Sequence, residues 1–135
     1  VPSAQVPPNC DLTLGMVCLD KGTPGKSEWR MVADERFTNP LGIMQGGFLA
    51  AFADSAMGAA ALTWGRERAG GARVRAVNAE LKISFLCPVA VGTTLVATAR
   101  VIGGGARTAF VEAELTDGEG SLVAKAGSTY LVEAR

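Results

Sequence analysis

A chain of 135 residues, 48% apolar and 19% charged, suits one globular domain with a substantial core rather than two domains. Its 13 basic and 13 acidic side chains cancel, which removes the electrostatic footprint of a nucleic-acid binder. Histidine is absent, so Ser-His-Asp and Cys-His pairs, histidine-ligated zinc and imidazole acid–base catalysis are excluded together.

The first segment, VPSAQVPPNC, is proline-rich and lacks the apolar run of a secretory signal. Residues 1–11 are expected to form a flexible arm ahead of a single domain over 12–135. The chain opens on Val1 rather than Met, so residues are expected upstream. Cys10, Cys18 and Cys87 are odd in number and make no CxxC pair, which fits a reducing, cytoplasmic setting and gives no metal signature. Residues 12–19 and 28–35 read as strands on either side of the turn KGTPGK. Leu12, Leu14, Met16 and Cys18 would share one face of the first, and Trp29, Met31 and Ala33 one face of the second. FTNPLGIM then reads as a loop, because Pro40 biases Asn39 away from helix.

Residues 46–64 form the one convincing helix. Phe48, Ala51, Phe52 and Ser55 recur at helical spacing, with Gly46 and Gly47 at its start and Gly65 near its end. Between Phe37 and Gly65 the only ionisable residue is Asp54. A membrane span is rejected, since an Asp at a helix centre costs about 2.5–3.5 kcal/mol on insertion and the rest of the chain alternates like a soluble sheet. In 76–85, Val77, Ala79, Leu81, Ile83 and Phe85 are expected on one face, with Asn78, Glu80, Lys82 and Ser84 on the other. Leu95, Ala97, Ala99 and Val101 form the inner set of 93–102, and Ala109, Val111, Ala113 and Leu115 that of 108–115. The last strand covers 121–133, and GGGA (103–106) and DGEG (117–120) are hairpin turns. Two strands, one long helix and four strands make an α+β domain, with an antiparallel sheet around a central helix.

The string N-P-L-G-I-M-Q-G-G over 39–47, followed by Asp54, resembles the active-site segment of hotdog-fold acyl-CoA thioesterases. The nearest branch is the phenylacetate-pathway and 4-hydroxybenzoyl-CoA thioesterase type. Asn39, Gly42, Gly46, Gly47 and Asp54 occupy that family's spaced positions, and the resemblance runs over about residues 30–133, including Pro88 after the strand that follows the helix. Gln45 stands where the family usually has histidine, which bears on thioester positioning more than on the reaction class. The resemblance implies a hotdog fold, hydrolysis of an acyl-CoA, coenzyme A present only as part of the substrate, and neither cofactor nor metal.

Residue chemistry assigns roles alongside the resemblance. A glycine at a helix start lets a ligand approach the free N–H groups there, so Gly46 and the Asn39 amide are candidate donors to a thioester oxygen. Asp54 is the candidate general base or nucleophile. Asn78 lies where related thioesterases hold the attacking water with a hydroxyl. Gln45, Gly47 and Ser55 are candidate substrate contacts, and position 58, a hydroxyl residue in some relatives, is glycine here. Arg107 and Thr108, with Arg73 and Arg75, are candidates for the nucleotide end of coenzyme A. Phe48, Phe52, Met57 and Trp64 would line an aryl or medium-chain acyl pocket, unless they are plain core.

Asp54 follows Gly46 by eight residues, about 12 Å along a helix. One carbonyl cannot touch both, so a shared site requires two chains with antiparallel helices: an obligate homodimer, expected to pair further into a homotetramer. Two other readings compete. A hotdog dehydratase or hydratase would ordinarily use a histidine that this chain lacks, and a non-catalytic acyl-CoA-binding module would leave Asp54 structural.

Overall fold

An apolar helix must bury its surface, and here a sheet with small inward side chains closes around it. The computed structural model describes residues 6–135. It runs in the order α1 (Asn9–Leu14), β1 (Val17–Asp20), β2 (Lys26–Val32), a 3-10 turn (Glu35–Phe37), α2 (Gly46–Arg68), β3 (Val74–Phe85), β4 (Thr94–Gly104), β5 (Thr108–Thr116) and β6 (Leu122–Ala134). The strands form one six-stranded sheet in the order β1-β2-β4-β5-β6-β3, with every neighbouring pair antiparallel. This is the hotdog fold, with β3 at one edge of the sheet.

Alanine on alanine lets the helix sit deep in the sheet. Ala53, Ala56, Ala60 and Ala61 of α2 are fully buried, as are Ala97, Ala99 and Ala109 of the sheet, while Phe52, Met57, Leu95 and Leu115 fill the larger gaps. The inward sets expected on β4 and β5 are the ones facing the core; Leu95, Ala97 and Ala99 on β4 and the four of β5 are buried, and Val101 is half-buried. Two buried polar groups also tie sheet and helix. Ser27 on β2 donates to the Ala56 carbonyl at 2.6 Å, and the Gly25 N–H donates to Thr63 Oγ1 at 3.0 Å.

Three expectations are corrected. Residues 12–19 do not form a continuous strand: Asn9–Leu14 is a helical turn and a half that buries Asp11 and Leu14 and ends at Gly15, leaving only Val17–Asp20 for β1. Of the arm expected over 1–11, residues 1–5 lie outside the described residues, and Asn9–Asp11 open α1. On β3 the simple alternation breaks. The register slips between Asn78 and Glu80, so Asn78 pairs with Tyr130 and Glu80 with Thr129. This bulge leaves Ala79 without a partner and reverses the faces. Asn78 therefore shares the helix side of the strand with Leu81, Ile83 and Phe85, and Val77 turns outward, 53% exposed.

Candidate functional site

Asn39 closes the loop that leads into α2. Its Oδ1 accepts from the Leu41 N–H at 2.9 Å and the Ile43 N–H at 3.4 Å, and its backbone carbonyl accepts from Gly42 at 2.9 Å. Gly42 has φ of +78°, a left-handed turn that a side chain would strain. Met44 and Gln45 are anchored by backbone bonds to Val89 and Phe37, at 2.9 and 2.7 Å. The loop is thus fixed at both ends, and Asn39 Oδ1 is spent on it while the side-chain amide stays available.

Gln45 is the N-cap of α2 and makes no side-chain capping bond. A Cβ at Gly46 would come within 2.8 Å of Phe85 Cζ, so glycine is what lets the Phe85 ring lie against the helix start. Together these groups bound a cavity of about 570 Å³ lined by Asn39, Gln45, Gly46 and Gly47 on its polar side and by residues such as Met44, Leu49, Phe85 and Leu86 on its apolar side. No carboxylate lines it. Among the residues around it, the free N–H groups and positive dipole end of α2 favour an oxygen that gains negative charge.

Asp54 stands elsewhere in the protomer, two turns further along α2. Its Oδ1 accepts from Asn78 Nδ2 at 2.8 Å and from Tyr130 Oη at 2.5 Å. Tyr130 Oη also lies 2.8 Å from the Asp54 backbone carbonyl. The second Asn78 amide proton goes to Ser128 Oγ at 3.1 Å, and Asn78 Oδ1 accepts from the Glu80 N–H at 2.9 Å. The bulge makes this possible, because it turns Asn78 toward the helix. Tyr130 is 2% exposed; burial, and then the hydrogen bond to Asp54, push its phenol well above the ordinary range, so it stays a protonated donor.

The candidate residues therefore fall into separate groups. Asn39, Gln45, Gly46 and Gly47 meet at the cavity; Asp54 and Asn78 meet about 12 Å along the helix, at edge strand β3. Ser55 is half-buried on α2 outside the cavity lining. Arg107 and Thr108 lie at the β4–β5 turn, beside Trp64 and the far end of α2: a Cβ at neighbouring Gly104 would meet the Trp64 ring at 2.7 Å. Within one chain that end is about 27 Å from Gly46. Arg75 is engaged with Glu133 at 2.6 Å. Phe52 and Met57 are core, Phe48 stacks on Phe37 with ring centroids 4.6 Å apart, and none of them lines the cavity.

Tyr130 and Ser128 escape a reading of the sequence alone. The signal was present: on the inward positions Ala124, Ala126, Ser128, Tyr130 and Val132 of β6, two consecutive members are polar, and Tyr130 is the one tyrosine of the chain. A buried hydroxyl pair in an otherwise apolar row needs a polar partner across the core.

Comparison with known proteins places this geometry in context. Residues 41–124 match the family model described as the thioesterase superfamily. Human acyl-coenzyme A thioesterase 13 is 30% identical over 122 residues, which cover 90% of this chain and 83% of that protein. The E. coli PaaI protein from the phenylacetic acid degradation operon superposes with a TM-score of 0.81 at 26% identity, covering 90% of this chain and 82% of that one. A conserved protein of Pseudomonas aeruginosa gives a TM-score of 0.82 at 30% identity, with 93% and 94% covered.

Proposed function

Because this chain belongs to the thioesterase superfamily and has its hotdog fold, we propose that it hydrolyses an acyl-CoA thioester at a site shared by two copies of the chain. One protomer supplies the Gly46 N–H and the Asn39 amide, which polarise the thioester carbonyl and hold the oxyanion that forms when it is attacked. The second supplies Asp54, as general base toward water or as nucleophile. With water as the attacking group, Asp54 takes its proton, and tetrahedral collapse expels the coenzyme A thiolate and leaves the free acid. With Asp54 attacking, collapse expels the thiolate and leaves an Asp54–acyl anhydride, which a water then hydrolyses to the free acid.

One observation carries this reading. The cavity has oxyanion donors and no carboxylate, while Asp54, the only acid between Gly46 and Gly65, lies at the free edge of the sheet, hydrogen-bonded to Asn78 of β3. A 12-residue edge strand with exposed Val77, Leu81 and Phe85 is a ready template for pairing with a second chain. A two-fold pairing there runs the two helices antiparallel and carries each Asp54 toward the other copy's cavity. Arg107 and Thr108, remote from Gly46 in their own protomer, then stand on the partner's side of the site, where they would meet the phosphates of coenzyme A. The outer face of the sheet, where exposed Val77 pairs with Leu131 beside exposed Phe110, suits the further pairing of dimers into a tetramer.

The apolar lining of the cavity suits an apolar acyl group, and the three free cysteines suit a reducing compartment, which we take to be the cytoplasm. The test is thiol release from a panel of acyl-CoAs by the wild type and by Asp54→Asn. The wild type is expected to release thiol, and the variant to lose most turnover while keeping its fold and dimeric state. Undiminished hydrolysis by Asp54→Asn would overturn the assignment.

A further inference from the structure

The side chains of the hydrogen-bonded cluster around Asp54 are neutral: Asn78 on β3 and Tyr130 and Ser128 on β6. Two of their donors, the Asn78 amide and the Tyr130 phenol, converge on the same carboxylate oxygen, Oδ1. That leaves Oδ2 as the oxygen free to take a proton. The fourth neighbour, Glu80, is exposed and reaches the cluster only through its backbone N–H, so Asp54 and Tyr130 are the titratable side chains within it.

We propose that Tyr130 is a positioning residue for the hydrolysis: its buried hydroxyl fixes the rotamer of Asp54 and presents Oδ2 alone to the reacting water or carbonyl. This inference rests on Asp54 being the base or nucleophile. It goes beyond a packing role because a phenol needed only to satisfy itself in the core could bond the Asp54 backbone carbonyl, 2.8 Å away, and leave the carboxylate alone. Burial and the carboxylate both keep the phenol protonated, so it stays a donor to Asp54.

Loss of that contact frees the carboxylate rotamer, so Tyr130→Phe is expected to lower kcat about ten- to a hundred-fold, with KM within about twofold of wild type. In Asp54→Asn, adding Tyr130→Phe should cost little more, since the two act as a unit. Because the chain has a single tyrosine, global incorporation of 3-fluorotyrosine labels position 130 alone and keeps the hydroxyl, so the test survives a Tyr130→Phe that folds poorly. Its 19F resonance should shift in Asp54→Asn, which replaces the carboxylate that its hydroxyl meets. Wild-type kcat in Tyr130→Phe, or a 19F resonance identical in the wild type and Asp54→Asn, would overturn the proposal. Failure of the thioesterase reading is distinct: it appears as a wild type that releases no thiol, whereas the 19F comparison needs no substrate.

Discussion

Asn39 divides its side chain between two tasks. The oxygen braces the loop through the Leu41 and Ile43 N–H groups, and the amide is the group we propose for the substrate. The two tasks can be separated by Asn39→Asp, which keeps an acceptor for the loop and replaces the amide with an anion facing the developing oxyanion. That variant is expected to melt within a few degrees of wild type and to lose about a hundred- to a thousand-fold in kcat, measured by thermal unfolding beside thiol release. A loss of stability as large as the loss of rate would show that Asn39 is a loop residue only. At this scale the sequence made much of the site legible, because Asn39, Gln45, Gly46 and Gly47 are held near one another by a short loop and one helix start, and local spacing is enough to place them. Tyr130 was hidden for the opposite reason. It lies 76 residues from Asp54, and a tyrosine in a strand has no local feature that names its partner.

The long helix and most strands could be read from the sequence, since the inward alternation holds from Leu95 to Val101 on β4 and from Ala109 to Leu115 on β5. Two features could not. α1 is a short helix whose residues also alternate plausibly as a strand, and its burial of Leu14 decides the matter only in three dimensions. The β3 bulge inserts one unpaired residue, and a period-two pattern read straight through it assigns every residue beyond to the wrong face. That irregularity is what brings an amide to Asp54. Helix α2 itself offers a paired test of packing. A Cβ at Gly58 would meet the Tyr130 ring at 3.6 Å, an ordinary contact, whereas one at Gly65 would meet Val132 Cγ1 at 2.5 Å. Gly58→Ala is therefore expected to stabilise the protein by about 0.5–1 kcal/mol through helix propensity. Gly65→Ala should destabilise it by about 1–3 kcal/mol through overpacking. Denaturant unfolding of the two variants checks both signs, and equal effects would contradict the assigned packing.

At the scale of the whole molecule, the candidate residues stand in two groups. The donors of the cavity and the carboxylate at the edge strand are separated by two turns of one rigid helix, so no rearrangement of loops brings them together within a chain. The central claim, that a second copy completes the site, is tested most directly by mixing two inactive proteins. Asp54→Asn chains keep the cavity donors, and Asn39→Asp chains keep the carboxylate. After subunit exchange at equal concentrations, half of the dimers would be mixed, and each would hold one intact site of two, so the mixture is expected to recover about a quarter of wild-type thiol release. A mixture that exchanges subunits yet stays as inactive as its parents would contradict the shared site.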